Sequence, residues 1–305
     1  MESVTDILGL GAVAVDDFVY VESYPAPNSK VRVVDRERQC GGLTGTALVA
    51  AARLGCRCSY AGVTGTDDAS HFALAALAGE GVRIDSACRR ADRRVYHSTI
   101  IVDLLGRRTL LSDGRNVQPA GEDWPEESTI RSCKVLFVDH TAMSGMIRAA
   151  RIARSQGIPV VADLERVASE NIGDLMSLVD HLIVPEEFAR AVTGKDEPDR
   201  AAAGLWTGAK DAVVVTCGEA GCWYIGPDCG PTHREAYRAD VVDTTGCGDV
   251  FHGAYAAGLV LGLDLAARIR LASAAAALKA ARRGGQAGCP TMAEVERFIR
   301  EHSPR

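Results

Sequence analysis

The sequence predicts an α/β protein with a central, mostly parallel sheet, helices on both faces of that sheet and a small β-sheet lid. Three observations predict it. From about Lys134 onward, short apolar runs alternate with helical stretches, the rhythm of repeated strand–helix–strand units. Those runs lack polar alternation, which suits strands buried on both faces. Two segments, at about 13–38 and 93–113, break the rhythm: they are rich in Val, Ile, Thr and Tyr, with no convincing helix between their strands.

In the alternating half, Val135–Val138, Pro159–Ala162, His181–Val184 and Ala212–Val215 read as strands, and Ala142–Ser155 and Glu186–Val192 as helices. The two aberrant segments read as lid strands. Tyr24-Pro25-Ala26-Pro27-Asn28 supplies the turn of the first pair, and Leu104-Leu105-Gly106-Arg107 that of the second. The last third is helical, with an Ala-rich stretch over 265–281, a loop over 283–290 and a final helix opened by Thr291. Glu294 follows three residues later, the spacing of a capping box. No internal repeat or low-complexity linker interrupts the chain, so residues 1–305 are expected to form a single domain.

Composition removes several function classes. Hydrophobic residues at 47% and charged residues at 24% are ordinary globular usage. The formal charge of -6 is dispersed, and Arg89-Arg90 and Arg93-Arg94 sit near acids, so no basic face for nucleic acid is expected. The ten cysteines are scattered through a long chain with no signal peptide at Met1-Glu2-Ser3, which points to reduced thiols and a cytoplasmic protein. Cys56-x-Cys58 has the wrong spacing for a zinc site, and the seven histidines, His140 and His252 among them, show no ligand pattern. The longest apolar stretches fall short of the roughly 20 residues that cross a bilayer, so no membrane span is predicted. Gly9-x-Gly11-x-x-Ala14 matches a dinucleotide fingerprint in letters only: β-branched residues follow it, where that fingerprint must open a helix.

The informative stretch is Asp243-Thr244-Thr245-Gly246-Cys247-Gly248-Asp249, read as a junction between a strand-like 239–242 and a helical 250–261. Small residues at Gly246, Cys247 and Gly248 let backbone N–H groups converge at a helix N-terminus, where unpaired donors and the macrodipole favour a phosphate oxyanion. Asp249 would then stand beside that phosphate. Two negative charges side by side make poor sense for anion binding alone and good sense for a base that takes a proton from a hydroxyl attacking phosphorus.

The whole string resembles the signature of the PfkB family, the ribokinase-like carbohydrate kinases, which reads Asp-Thr-Thr-Gly-Ala/Gly-Gly-Asp. That resemblance implies ATP and Mg²⁺ as cofactors, Asp249 as catalytic base and Gly246, Cys247 and Gly248 as anion hole. Some members also bind K⁺, which here would lie near Asp243, Thr245 and the 283–288 backbone. Cys40-Gly41-Gly42-Leu43-Thr44-Gly45-Thr46-Ala47 looks like the N-terminal signature, in which Gly41 and Gly42 touch the sugar; Thr46 stands where the family usually has Asn. Asp16, with Asp17 as competitor, matches the carboxylate that grips sugar hydroxyls. Ala61–Asp67 and Leu77–Val82 also follow the family pattern, and Val213–Gly221 resembles its nucleotide-side turn, implying Thr216, Gly218 and Gly221, with Gly285, near the nucleotide.

The chain departs from the family at Pro185 and Phe188, where many members carry Asn-x-x-Glu; Glu186 is the substitute for ordering Mg²⁺ waters. Thr46, that departure and the C-terminal Ala-Ala-Leu-Lys run look more like the ketohexokinase and sulfofructose kinase branch, which implies a ketose or ketose derivative as substrate. Lys30 would meet an anionic group on it, or act as a solvated edge charge on a lid strand. Lid pairing in the family implies a homodimer. A thiol at a helix N-terminus, Cys247, is expected to have a lowered pKa and to be open to oxidants. A nucleoside kinase of the same fold and a non-catalytic sugar-binding regulator are the rival readings; an intact Asp249 and glycine loop oppose the regulator.

Overall fold

The computed structural model describes residues 5–105, 107–167 and 169–302; Gly106 of the expected lid turn and the Met1-Glu2-Ser3 start lie outside them. Eight strands form the main sheet: β1 (Thr5–Leu10), β4 (Cys58–Tyr60), β9 (Cys133–Asp139), β10 (Val160–Asp163), β11 (His181–Pro185), β12 (Ala212–Thr216), β13 (Cys222–Gly226) and β14 (Cys229–Arg234). Their order is β14-β13-β12-β11-β10-β9-β1-β4, parallel from β4 to β12 and antiparallel at the β12–β13–β14 end. A separate four-stranded sheet, β3-β2-β7-β8, comprises β2 (Ala14–Val21), β3 (Val33–Gly41), β7 (Tyr96–Val102) and β8 (Arg108–Asp113). β5 (Val63–Thr64) and β6 (Cys88–Arg89) make a two-stranded ladder.

The apolar runs behave as double-sided strands should. In β9, Val135 and Phe137 join one core while Leu136 and Val138 join the other; in β12, Val214 faces the first and Val213 and Val215 the second. On the first face lie α1 (Leu43–Arg53), α2 (Asp68–Gly79), α8 (Cys247–Val260), α9 (Leu265–Ala280) and α10 (Met292–His302). On the second lie α3 (Glu127–Arg131), α4 (Met143–Ser155), α5 (Ile172–Leu178), α6 (Glu186–Thr193) and α7 (Pro198–Leu205). The last helix opens as its spacing predicts, the Thr291 backbone N–H donating to Glu294 Oε2 at 2.8 Å.

Two expectations need correction, and two helices were missed. Residues 239–242 form no strand: Val241 and Val242 are exposed, and the N–H groups of Val242 and Asp243 donate to Ala280 O, the end of α9. A β-branched pair resembles a strand in letters, but here its backbone is satisfied by a helix terminus rather than a ladder. Lys30 lies on the exposed β2–β3 connection, not on a lid strand. Helices α5 and α7 went unread because each is only about two turns long, too short for apolar spacing to tell a helix from a loop.

One close approach organises the first face. A Cβ built on Gly253 of α8 would stand 2.1 Å from Ala47 O of α1, so the two backbones touch where only glycine fits. Gly253→Ala should therefore cost about 1–3 kcal/mol through overpacking, read as a lowered Tm. Gly79→Ala, at a position with open space, should leave Tm unchanged or raise it.

Candidate active site

The chain leaves β1 toward β4 on one side and returns to β9 on the other, so a crevice opens at the carboxyl ends of β1 and β9, where α/β sheets bind ligands. Asp139, the last residue of β9, pins this crevice. Its carboxylate accepts from Ala12 N–H at 2.6 Å, Thr44 Oγ1 at 2.9 Å and Thr141 N–H at 2.8 Å, and from the Thr141 hydroxyl. Gly42, the N-cap of α1, has φ of 90°, and a Cβ there would meet Ala12 O at 2.6 Å. The start of α1 thus rests directly on the backbone leading into β2.

That contact decides between the two candidate aspartates. A Cβ on Gly41 would lie 2.9 Å from Asp16 Oδ2, so Asp16 faces the glycine pair; burial raises its pKa, and Ser98 beside it opposes the rise. Asp17 points to the other face of the lid. It is held by Arg38 at 2.6 Å and His97 at 2.7 Å, and these partners, Arg38 foremost, lower its pKa to about 2.

The second signature closes on the first. Gly246, N-cap of α8, is left-handed at φ 79°, and a Cβ there would sit 3.2 Å from Gly285 Cα and 3.4 Å from Thr46 Cγ2. Gly246, Thr46 and Gly285 therefore converge, although they are far apart in the chain. Asp243 clamps the loops together: Oδ1 accepts from Thr245 N–H at 2.9 Å and Oδ2 from Gly284 N–H at 2.9 Å. Burial opposes ionisation of Asp243, but these bonds hold its pKa below the usual value. From the lid, Arg108 reaches the same loop and donates to Thr245 Oγ1 at 3.0 Å.

Asp249 lies in the first turn of α8 in an acidic crevice. Burial raises its pKa well above the ordinary carboxylate range, and the charges of Asp163, Glu165 and Asp139 add to the rise. Asp163, at the end of β10, is 0% exposed, and among the described residues neither carboxylate oxygen has a hydrogen-bond partner. His252 stands 3.4 Å from it, with Nδ1 2.7 Å from Gly248 O and Nε2 3.1 Å from Ile183 O. His252 is thus a buried strut between α8 and β11.

These contacts unite both sequence signatures around one carboxylate, and the profile of the pfkB family carbohydrate kinases matches residues 4–292. The chain belongs to that family. It is an ATP-dependent sugar kinase. A ribokinase of Staphylococcus aureus is 27% identical over 94% of this kinase and 97% of its own length. The crystal structure of a putative ribokinase from Agrobacterium tumefaciens superposes with a TM-score of 0.88 at 27% identity, covering 98% of both chains. Arabidopsis thaliana ribokinase, solved with ribose and ATP, has the same fold, with a TM-score of 0.85 at 23% identity over 97% of the kinase and 99% of that chain.

The remaining expected residues lie further along the sheet edge. Thr216 ends β12 beside β11; Gly218 opens the following 3₁₀ turn at φ 56°; Gly221, at φ 90°, has a packing reason of its own, since a Cβ would meet Arg234 O at 2.0 Å. Glu186, at the start of α6, is partly exposed, and its charge acts on Cys217. The Cys247 expectation is overturned in direction: burial pushes this thiol up, with Lys279 opposing and Asp243 and Asp249 adding to the rise. Asp139, Asp163, Glu165, Arg108 and Lys279 were not read from the sequence. The signal for the first two was present, an acid directly after each apolar run, at the sheet edge where ligands bind.

A carboxyl raised in this way stays protonated to higher pH. Turnover that needs ionised Asp249 should therefore fall on the acid side with an apparent pKa above the ordinary value of about 4. A kcat/KM profile over pH 4–9 checks this; an acid limb at or below about 4 contradicts it.

Proposed function

We propose that the kinase transfers the γ-phosphate of ATP to a hydroxyl of a ketose or ketose derivative held between the lid and the Gly41–Gly42 turn. The observation that carries the reading is the convergence at Gly246: the helix N-terminus with Asp249 in its first turn abuts both Thr46 of the glycine signature and Gly285 of the C-terminal loop. Asp16, facing Gly41, grips sugar hydroxyls. Asp249 takes the proton of the acceptor hydroxyl as that oxygen bonds to the γ-phosphorus and the bridging bond to ADP breaks; the amides of Gly246, Cys247 and Gly248 hold the phosphoryl charge. The ketose preference rests on Thr46 in place of the usual Asn and on the departure at Pro185 and Phe188.

Among the described residues no group of three or more His, Cys, Asp or Glu is arranged to hold a metal. Mg²⁺ arrives on nucleotide phosphates, keeps several waters and needs few protein ligands. The unpartnered oxygens of Asp163, with Glu165 near Asp249, fit the role of holding such waters. Bound there, Mg²⁺ would neutralise charge on the transferred phosphate. Thr216, Gly218 and Gly221 line the adenine side. The exposed Lys30 would serve an anionic ketose phosphate if the β2–β3 connection folds inward.

The lid carries exposed apolar side chains at Val34, Leu104, Leu105, Leu110 and Leu111, which supports a homodimer formed through it. Leu110→Lys combined with Leu111→Lys should then give a monomer by sedimentation; an unchanged mass sinks the lid interface.

ADP release measured with ketoses, ketose phosphates, aldopentoses and nucleosides tests the substrate. A ketose or its phosphate should give the highest kcat/KM; a preference for aldopentoses or nucleosides overturns the ketose assignment. Asp249→Asn should lower turnover by about 10²–10⁴ while leaving ATP affinity intact. Asp16→Asn should raise the sugar KM, whereas Asp17→Asn should not.

A further inference from the structure

Lys279 is 0% exposed, an uncommon place for a lysine. A buried ammonium is costly unless its donors are met. Here Nζ donates to Asp243 O at 2.7 Å and to Arg282 O at 3.3 Å, and stands 4.0 Å from Asp243 Oδ2. The cation thus sits at the carboxyl end of α9, where the helix dipole favours positive charge, directly beneath the loop that opens α8. Its stem passes through a gap that exists because residue 288 lacks a side chain: a Cβ on Gly288 would lie 2.6 Å from Lys279 Cδ and 3.1 Å from Cε.

The same backbone is where the family resemblance would put K⁺, and the donor set no longer suits one. Asp243 Oδ1 and Oδ2 are taken by Thr245 and Gly284 N–H groups, and the carbonyls of Asp243 and Arg282 by the ammonium. A K⁺ ion placed among them would meet a like charge and find its oxygens occupied.

We infer that Lys279 is a tethered substitute for a monovalent cation: a positioning residue whose ammonium joins the 243–246 and 282–285 loops and keeps a fixed positive charge beneath the anion hole, so that the enzyme works without K⁺. This rests on the reading of Gly246–Gly248 as the anion hole. In support, Lys279 is the one charge that lowers the pKa of both Cys247 and Asp249 among those acting on them.

The test compares the parent, Lys279→Ala and Lys279→Met in KCl, NH₄Cl and tetramethylammonium chloride at equal ionic strength, by thermal melting and by ADP release. The parent should show the same Tm and the same turnover in all three salts. Lys279→Ala, which opens an ion-sized space among the carbonyls, should lose at least about tenfold in turnover in tetramethylammonium. K⁺ or NH₄⁺ should return much of that loss and raise the variant's Tm. Lys279→Met, which fills the space with apolar volume, should lose as much and gain from neither ion. A parent whose Tm or turnover falls several-fold without K⁺ overturns the inference, as does parental turnover in the folded Met variant or an Ala variant, folded or not, that K⁺ and NH₄⁺ fail to rescue. If no acceptor is phosphorylated by the parent, the proposed reaction fails, while the melts still decide whether Lys279 stands in for the ion.

Discussion

The contact on which the site depends is the backbone-to-backbone crossing of α1 and α8 at Ala47 and Gly253. At 2.1 Å from a notional Cβ to the facing carbonyl, no other residue fits at 253 without separating the helices. Because the two helices cross there, their N-termini lie side by side: Gly42 rests on the backbone of Ala12 to Ala14, and Gly246 rests on Thr46. Two motifs some two hundred residues apart thereby form one pocket. Gly9 extends the same logic into the sheet, since a Cβ there would reach Leu48 of α1 at 2.5 Å.

Charge organises what packing brings together. Asp163, Glu165 and Asp249 share a poorly solvated crevice with Asp139, and burial above all, with repulsion from neighbouring carboxylates, raises the pKa of the first three. Such a cluster is unfavourable for stability and useful for chemistry: a basic carboxylate accepts a proton readily, and a cation delivered with the nucleotide relieves the repulsion. Lys279 balances the cluster from below, and Arg108 approaches the same loop from the lid. The lid contact at Thr245 ties β8 to the loop that opens α8.

Much of this was legible in the residues. The double-sided strands followed from unbroken apolar runs such as Val213–Val215, the lid from β-branched segments without a helix between them, and the family from the string ending at Asp249. The family resemblance favoured Asp16 over Asp17, but which of the two faces inward was not legible, because adjacent residues of a strand point to opposite faces and only the position of Gly41 tells which face is inward. Nor was the role of Lys279, whose partners are carbonyls on a neighbouring loop and in its own helix's exit turn, contacts that leave no spacing in the sequence. The reading of 239–242 as a strand erred for a related reason: the end of α9 supplied the hydrogen-bond acceptor that a ladder would have supplied. The Cys247 expectation weighed the helix terminus and omitted burial, which prevails.

The proposed transfer requires Asp249 to meet the acceptor hydroxyl while the Gly246–Gly248 amides meet the phosphate. A crystal structure with ADP, aluminium fluoride and the preferred sugar measures both contacts at once. The acceptor oxygen is predicted at about 2.6–3.2 Å from an Asp249 carboxylate oxygen, with the fluoride ligands facing the 246–248 N–H groups. An acceptor oxygen held by a different side chain, with Asp249 turned from the phosphate mimic, contradicts the account.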